Sequence, residues 1–273
     1  MRLSHYNDIK KNVNGTSYVL RLNYSKIDSL KSIFQIHNET INIWTHLWLF
    51  FYVIFLFFQL NDYSNIHFNH IFDDKYHFIL FTTYSSSLIA SFCSTWTHTF
   101  YMTDFKYIKY PWLVDFVGIT FAIYFSGIGS AWYVFNDKVK YHYIIIATYK
   151  YYQNIKLGII SHINITNTTN KSRTTFTEFR STFCMSALYG WVIPWYYGYL
   201  VGNTIESEIF LQLFDSLVYL LIGGLFLILN FPQRQFPGYF DIIGHSHQIW
   251  HLFVNVSIIN FCHSASTLFK LNQ

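Results

Sequence analysis

Two histidines, His247 and His251, lie four residues apart at the start of the last apolar stretch of the chain, and His98 closes an earlier one. Residues four apart share one face of a helix, so the first two imidazoles would project from the same side. One more histidine from a neighbouring helix gives three neutral nitrogen ligands with a fourth position open, which is how a catalytic zinc ion is commonly held. Ionisable side chains inside membrane spans are costly and usually mark function. The spacing therefore predicts a metal site of the kind that holds Zn²⁺.

A serine and an aspartate accompany these histidines. Ser94 lies one helical turn before His98, and Ser87 and Ser91 continue the same helical stripe. Asp115 falls in the first turn of the next apolar stretch. A divalent metal ion lowers the pKa of a coordinated water toward neutrality and so makes a nucleophile available, which a neighbouring hydroxyl can position. Asp115 would then be either a general base or the acceptor that fixes a histidine tautomer, and the sequence leaves both roles open.

Each of these residues also has a simpler interpretation. A single histidine near the end of a span is commonly an interfacial hydrogen-bonding group, and an i, i+4 pair also arises by chance in a chain with 13 histidines. A single aspartate supports packing about as often as catalysis. We interpret five other histidines as interfacial groups: His46, His142, His162, His245 and His263.

The composition excludes an ordinary soluble domain. Of the 273 residues, 52% are hydrophobic, 22% are aromatic and only 12% are charged, and the net charge of +4 is too small to indicate a nucleic-acid partner. A helix needs about 20 apolar residues to cross a bilayer. Six runs of roughly that length predict spans near 41–60, 77–101, 112–134, 183–200, 209–230 and 246–269.

A seventh run, near 142–165, is the most polar of the set. It contains Lys150 and Lys156, and a lysine at a helix centre costs about 3 kcal/mol on insertion scales. We include it because of the charge distribution described next. The predicted fold is therefore an all-α membrane protein, a seven-transmembrane helix bundle.

The distribution of lysine and arginine predicts the orientation of this bundle, because cytoplasmic loops carry an excess of both. With seven spans and a cytoplasmic amino terminus, twelve basic residues fall on cytoplasmic segments and four on outer segments, whereas six spans make the two sides nearly equal. The twelve are Arg2, Lys10, Lys11, Arg21, Lys26, Lys31, Lys106, Lys109, Lys171, Arg173, Arg180 and Arg234. This orientation brings the three histidines and Asp115 to the cytoplasmic face.

The same topology divides the chain into three segments. Residues 1–40 form a cytoplasmic amino-terminal segment, residues 41–269 the transmembrane domain, and residues 270–273 a short outer tail. Near the end of the first segment, apolar residues recur at helical spacing, which predicts either an amphipathic helix on the membrane interface or a simple linker helix. These residues are Ile27, Leu30, Ile33 and Phe34.

A second polar stripe begins the first span. Glu39, Asn42 and His46 stand at i, i+3 and i+7, so they share one face of that helix. The stripe starts at the same membrane face as the three histidines.

Five motifs occur in a recognisable order and spacing. They are SIFQIHNETINIWTHLW from Ser32 to Trp48, SFCSTWTH from Ser91 to His98, DFVGI around Asp115, PQRQFPGYFD from Pro232 to Asp241, and SHQIWH from Ser246 to His251. In these motifs, over about residues 27–263, the chain resembles the progestin and adipoQ receptor family, which is related to the haemolysin III proteins.

The resemblance implies a seven-helix fold with a cytoplasmic amino terminus and a buried zinc ion. Matched residue by residue, the zinc ligands fall on His98, His247 and His251, accompanied by Ser94 and Asp115. The family is grouped with the alkaline ceramidases among presumed membrane hydrolases. Ceramide-type amide hydrolysis has been proposed for its adiponectin-receptor members, other members are described as steroid or hormone receptors, and a role in lipid and zinc homeostasis is ascribed to fungal relatives.

The chain departs from the family pattern at several places. Ile41 replaces a usual glycine, Gln233 replaces a common glutamate, and Thr103 stands where many members have a further histidine. None of these positions is an expected ligand. Residues 143–170 match the fourth helix of the family poorly.

Two functions are compatible with these observations. The first is a zinc-dependent hydrolase of a membrane lipid amide of the sphingolipid class. The second is a receptor in which the zinc ion is structural and a hormone, lipid or extracellular ligand shifts the packing of the helices. A channel or transporter would need a polar path from face to face, whereas the polar stripes cluster at one side. We expect a multi-pass location in the plasma membrane or an internal membrane.

Overall fold

The computed structural model describes residues 4–5, 18–19, 24–61, 74–101, 109–164 and 185–271. Its helices, in chain order, are α1 (Lys26–Ser32), α2 (Thr40–Asn61), α3 (Lys75–Phe100), α4 (Lys109–Val134), α5 (Asp137–Asn164), α6 (Ile193–Val201), α7 (Thr204–Leu229) and α8 (Ser246–Lys270). A π-helical turn, Leu188–Val192, leads directly into α6. Residues 185–187, before this turn, are also helical, and Ser4–His5 pairs with Tyr18–Val19 as a short antiparallel strand pair.

The predicted all-α membrane architecture is confirmed. Within the described residues, five helices are long and apolar enough to cross a membrane. They are α2, α3, α4, α7 and α8, and each coincides with a predicted span to within a few residues.

The other two predicted spans are also helical. Residues 142–165 fall almost entirely within α5, which is 28 residues long but too polar, with Lys150 and Lys156, to count among the span candidates. The run at 183–200 corresponds to a helical segment that is described from residue 185 to residue 201.

Some of the sequence predictions fall beyond the described residues. These are Thr103 and eight of the basic residues that predict the orientation: Arg2, Lys10, Lys11, Arg21, Lys106, Lys171, Arg173 and Arg180. The division of the chain at residues 40 and 269 stays a prediction.

Helix α3 lies at the centre of the bundle, where it packs against α2, α4 and α8. Its contact with α4 is close because Gly118 lacks a side chain: a Cβ atom there would lie 2.6 Å from Cβ of Cys93. On the other side, α8 packs against α7 and α2. Trp195 of α6 is fully buried in this core and donates from its indole nitrogen to Oγ of Ser130 on α4.

The outer surface of the bundle is apolar, as expected for helices that face lipid. Helices α2 and α7 in particular expose large hydrophobic side chains along their outward faces. These include Trp44, Trp48, Phe51, Phe55, Phe58, Leu211, Val218, Leu221, Leu225 and Ile228.

Helix α1 has one face turned to the protein and one turned outward. Ser29 and Ser32 are fully buried against the protein, whereas Ile27, Leu30 and Lys31 are exposed on the outward side. Its start is fixed by a capping box, in which the Ser25 hydroxyl accepts from the Asp28 backbone N–H and the Asp28 carboxylate accepts from Ser25. The helix is therefore amphipathic, with its polar serines turned toward the bundle.

Candidate metal centre

His98, His247 and His251 meet inside one end of the bundle, where α3 ends and α8 begins. All three side chains are buried, and one nitrogen from each lies within 4.8 Å of the other two. The Nε2 atoms of His98 and His247 are 3.4 Å apart. Two nitrogens bound to one tetrahedral zinc ion at about 2.0–2.1 Å are held about 3.3 Å apart, so this pair fits a shared metal ion. The cluster could therefore hold a metal ion.

The second ring nitrogen of His98 is held by a carboxylate. Its Nδ1 lies 2.7 Å from Oε2 of Glu39, and both side chains are buried. The side-chain amide of Asn42 donates to the same oxygen, also at 2.7 Å. Because Nδ1–H donates to the carboxylate, the Nε2 of His98 carries the lone pair that faces the cluster.

The environment of Glu39 keeps its carboxyl group ionised. Burial by itself raises the pKa of this group, but the hydrogen bond from Nδ1–H of His98 lowers it. His245 and Asn42 add to that effect. The net result is a pKa well below the usual range of a glutamate.

The segment between α1 and α2 braces both ligand-bearing helices. The backbone carbonyl of Asn38 accepts from Nε2 of Gln248 on α8 and lies 3.1 Å from Nε2 of His245. The next residue, Glu39, holds His98 on α3. Two adjacent residues of one connector therefore tie together the helices that carry the three histidines.

His251 is positioned by α2. Its Nδ1 lies 3.3 Å from Oγ1 of Thr45, whose hydroxyl hydrogen is donated to the Asn42 carbonyl. This arrangement leaves Thr45 able to accept from Nδ1–H of His251, so that Nε2 is the metal-facing nitrogen. His46, the next residue of α2, is buried and packs edge to face on the His251 ring.

Ser94 and Asp115 lie beside the cluster. Both are buried, Ser94 is within hydrogen-bonding reach of the Asp115 carboxyl, and His98 is close to that carboxyl. Thr97, next to His98, donates its hydroxyl to the Pro111 carbonyl at 2.6 Å, which joins the end of α3 to the start of α4. Within the described part of the chain, Oδ1 of Asp115 has no hydrogen-bond partner.

The loop before α8 sets the start of that helix. Gln233 is buried and makes two reciprocal bonds with Ser246: its Oε1 accepts from the backbone N–H at 2.9 Å, and its Nε2 donates to the hydroxyl at 2.6 Å. The first N–H groups of a helix need such partners. Gly244, with φ of +87°, supplies the left-handed backbone of the turn, and its N–H donates to Oε1 of Gln248. His247 is thus anchored from both sides.

The structure brings together all five residues that the sequence singled out: Ser94, His98, Asp115, His247 and His251. It also adds residues to which the sequence assigned no role. Glu39 contacts His98 directly, and its place on a polar stripe was the signal for it. The interpretation of His46 and His245 as interfacial groups is wrong, because both side chains are buried next to the site. His162 lies where side chains are not described.

This arrangement defines a class of helical membrane protein with a buried three-histidine cluster at one end of its bundle. The family model described as Haemolysin-III related matches residues 34–263. The chain belongs to this family and is a multi-pass membrane protein.

Curated relatives agree with this assignment. The chain is 27% identical to heptahelical transmembrane protein 1 of Arabidopsis thaliana, over 99% of this chain and 81% of that protein. It is 26% identical to membrane progestin receptor gamma of Mus musculus, over 82% of this chain and 67% of the receptor. It is 25% identical to an ADIPOR-like receptor of Saccharomyces cerevisiae, over 88% of this chain and 73% of that protein.

Proposed function

We propose that this chain is a zinc-dependent hydrolase of membrane lipid amides of the sphingolipid class. In this proposal the metal is held by His98, His247 and His251, and the site opens toward the cytoplasmic face of a seven-helix bundle whose amino terminus is cytoplasmic. The observation that carries it is the burial of three neutral nitrogen donors beside a carboxylate and a hydroxyl, those of Asp115 and Ser94.

The seven-helix topology is supported by the length and position of α5. At 1.5 Å per residue, the 28 residues of α5 extend over about 42 Å, which is enough to cross a bilayer. Lys140, in its first turn, pairs with Asp137 and lies over the Trp132 ring, so its charge is accommodated at that end. A relative named heptahelical transmembrane protein supports the same count.

Zinc is the metal that this donor set favours. Three histidine nitrogens with an open fourth position are typical of catalytic zinc sites, whereas Ca²⁺ and Mg²⁺ prefer oxygen ligands. When bound, such an ion supplies a Lewis acid that polarises a carbonyl group and lowers the pKa of water.

Asp115 is the residue we assign to proton transfer. Amide hydrolysis consumes one water, breaks the C–N bond, and leaves a carboxylic acid and an amine. Oδ1 of Asp115 has no hydrogen-bond partner in the described part of the chain. It is therefore available to take the proton from water and to return it to the amine nitrogen as the C–N bond breaks. The Ser94 hydroxyl orients the carboxyl group.

The tautomer-fixing role that the sequence left open for Asp115 is filled, at His98, by Glu39. Asp115 is therefore left to transfer protons between the water and the amide group. The assignment of the substrate to the sphingolipid class rests on the motifs shared with the ceramidase-like group, and a long acyl chain can lie among the apolar helices.

A receptor with a structural zinc ion is the second candidate. Relatives in mouse and yeast carry the names membrane progestin receptor gamma and ADIPOR-like receptor. In this case a bound lipid or hormone would change the packing of the helices, and the three histidines would hold α3 and α8 together at one end of the bundle without turnover.

The experiment that separates the two uses purified protein in lipid nanodiscs. Zinc content is measured first, and single-turnover assays then follow release of labelled fatty acid from a panel of ceramides. We expect one zinc per chain, fatty-acid release by the wild type, and a loss of about 10²–10⁴-fold in Asp115→Asn with zinc retained. Asp215→Asn, an exposed carboxylate of α7, serves as the matched control and should behave as the wild type.

The outcomes are distinct. Absence of stoichiometric zinc, or its retention after His247→Ala, contradicts the metal site. Zinc binding without release of fatty acid from any ceramide contradicts the hydrolase and favours the receptor.

A further inference from the structure

Oxygen Oε2 of Glu39 is the meeting point of two donors. Nδ1 of His98 and Nδ2 of Asn42 both lie 2.7 Å from it. The side chains of His98 and Glu39 are 0% and 1% exposed, and Asn42 is fully buried. A charge-assisted bond in such surroundings is short, strong and geometrically restrictive.

This contact decides which nitrogen of His98 carries the proton. A neutral imidazole has two tautomers, and only the nitrogen without a proton can bind a metal ion. With Nδ1–H directed at a carboxylate, Nε2 keeps its lone pair, and this is the atom that lies 3.4 Å from Nε2 of His247. The ring is also held at the angle that points Nε2 into the cluster.

The backbone of Glu39 is held as firmly as its side chain. Its N–H donates to Nδ1 of His37, and Nε2 of His37 lies 3.0 Å from the Ser32 carbonyl at the end of α1. The backbone N–H of His37 donates in turn to the Thr40 hydroxyl at 2.8 Å. The carboxylate is therefore presented to His98 by a connector with little freedom to move.

We infer that Glu39 is the positioning residue of the metal site, fixing the tautomer and orientation of His98. This inference rests on the metal site proposed above and adds to it a residue outside the ligand set. The positive charge of a bound metal ion would also offset the negative charge of the buried Glu39 carboxylate.

A purely structural role predicts different behaviour. If Glu39 only ties α2 to α3, its replacement should lower the stability of the metal-free and metal-bound forms equally and leave zinc affinity unchanged. A positioning role predicts a loss of affinity together with a change in the tautomer of His98.

Two replacements separate charge from hydrogen bonding. In Glu39→Gln the amide oxygen can still accept from His98 and Asn42, so only the charge is lost. In Glu39→Ala both donors lose their acceptor. Glu206→Gln is the matched control, because this half-buried carboxylate caps the start of α7 and accepts from the Tyr133 hydroxyl, outside the histidine cluster.

Zinc affinity is measured by chelator competition on the full chain in nanodiscs, and ¹⁵N spectra of labelled histidine report the tautomer. We expect Glu39→Gln to bind zinc about 10-fold more weakly and Glu39→Ala about 100-fold more weakly, the range found for outer partners of metal ligands. We expect Glu206→Gln to bind within about two-fold of the wild type, and wild-type His98 to be protonated at Nδ1.

The zinc affinities distinguish the positioning role of Glu39 from the existence of the metal site. A wild type that binds no zinc removes both. A wild type that binds zinc while both Glu39 variants match it within two-fold, or whose His98 binds through Nδ1, overturns the positioning role and leaves the metal site standing. If the Glu39 variants do not fold, Asn42→Ala is the deciding variant, because it keeps the carboxylate but removes one of its two donors. We expect its zinc affinity to fall several-fold. An unchanged zinc affinity would overturn the inference.

Discussion

The imidazole rings of His46 and His251 meet edge to face with their centroids 4.3 Å apart. His46 is only 4% exposed, and its Nδ1 has no hydrogen-bond partner within the described residues. The two residues come from α2 and α8, so the contact fixes the His251 ring against the first span. Together with the Thr45 hydroxyl on Nδ1, it leaves His251 few alternative orientations.

Replacing His46 should therefore affect the metal site through packing. We expect His46→Phe, which keeps a ring in this position, to bind zinc within about three-fold of the wild type. His46→Ala leaves space beside His251 and should weaken zinc binding about 10-fold. Chelator competition measures both values. Equal losses in the two variants would mean that the ring nitrogens of His46, and not its shape, matter for metal binding.

Zinc should stabilise the fold by mass action. At a free zinc concentration of about 1,000 times Kd, a ligand that binds only the folded state adds about 4 kcal/mol to the free energy of unfolding. We expect this increase for the wild type and its loss in His247→Ala. His263→Ala, an exposed histidine of the same helix, should retain it. Thermal unfolding with and without a chelator provides the measurement, and a zinc effect that survives in His247→Ala would contradict the assigned ligands.

Gln233 should be required for the start of α8. Gln233→Ala leaves the N–H and hydroxyl of Ser246 without their buried partner, which costs about 1–3 kcal/mol in the free energy of unfolding. Gln235→Ala, two residues away and exposed, should change stability by less than about 0.5 kcal/mol. Denaturation of the two variants side by side tests this, and equal stabilities would exclude the proposed anchoring.

Gln233→Glu tests why this position departs from the glutamate common in the family pattern. A carboxylate can accept both from the Ser246 N–H and from its hydroxyl, so the hydrogen-bond pattern survives with the direction of one bond reversed. We expect this variant to fold and to bind zinc like the wild type. Loss of zinc binding in Gln233→Glu alone would show that the added charge disturbs the cluster.

Five of the six apolar runs correspond to helices of span length, and they could be predicted because hydrophobic length alone specifies them. The same property failed to define α5, whose lysines and tyrosines make it too polar for a length-and-hydropathy criterion although its residues form one continuous helix. The π-helical turn before α6 could not be predicted either, because hydrophobic periodicity carries no signal for it; within this turn Gly190 packs closely on Gly127 of α4.

The histidine cluster could be predicted because i, i+4 spacing and the order of spans bring His98, His247 and His251 to one end. The residues around them could not be assigned by spacing. Glu39 reaches His98 only because the connector after α1 turns the first residues of α2 inward, and Asn38 reaches Gln248 for the same reason. Such contacts depend on how loops pack over the helix ends, which periodicity does not encode.

Helix α1 should lie in the membrane interface with its apolar side in lipid. Ile27 and Leu30 are 64% and 50% exposed, Lys31 is exposed about 100° further around the helix than Leu30, and the serines face the protein. Burying the apolar face in the interface is favourable, whereas the lysine can reach the headgroups. Nitroxide labels at Leu30→Cys and Lys31→Cys should differ in accessibility: the first should collide more with oxygen, which concentrates in lipid, and the second more with a water-soluble nickel complex. Because the two labels occupy neighbouring positions of one helix, each serves as the control for the local mobility of the other. Equal access of the nickel complex to both labels would contradict the interfacial placement and favour a solvated linker helix.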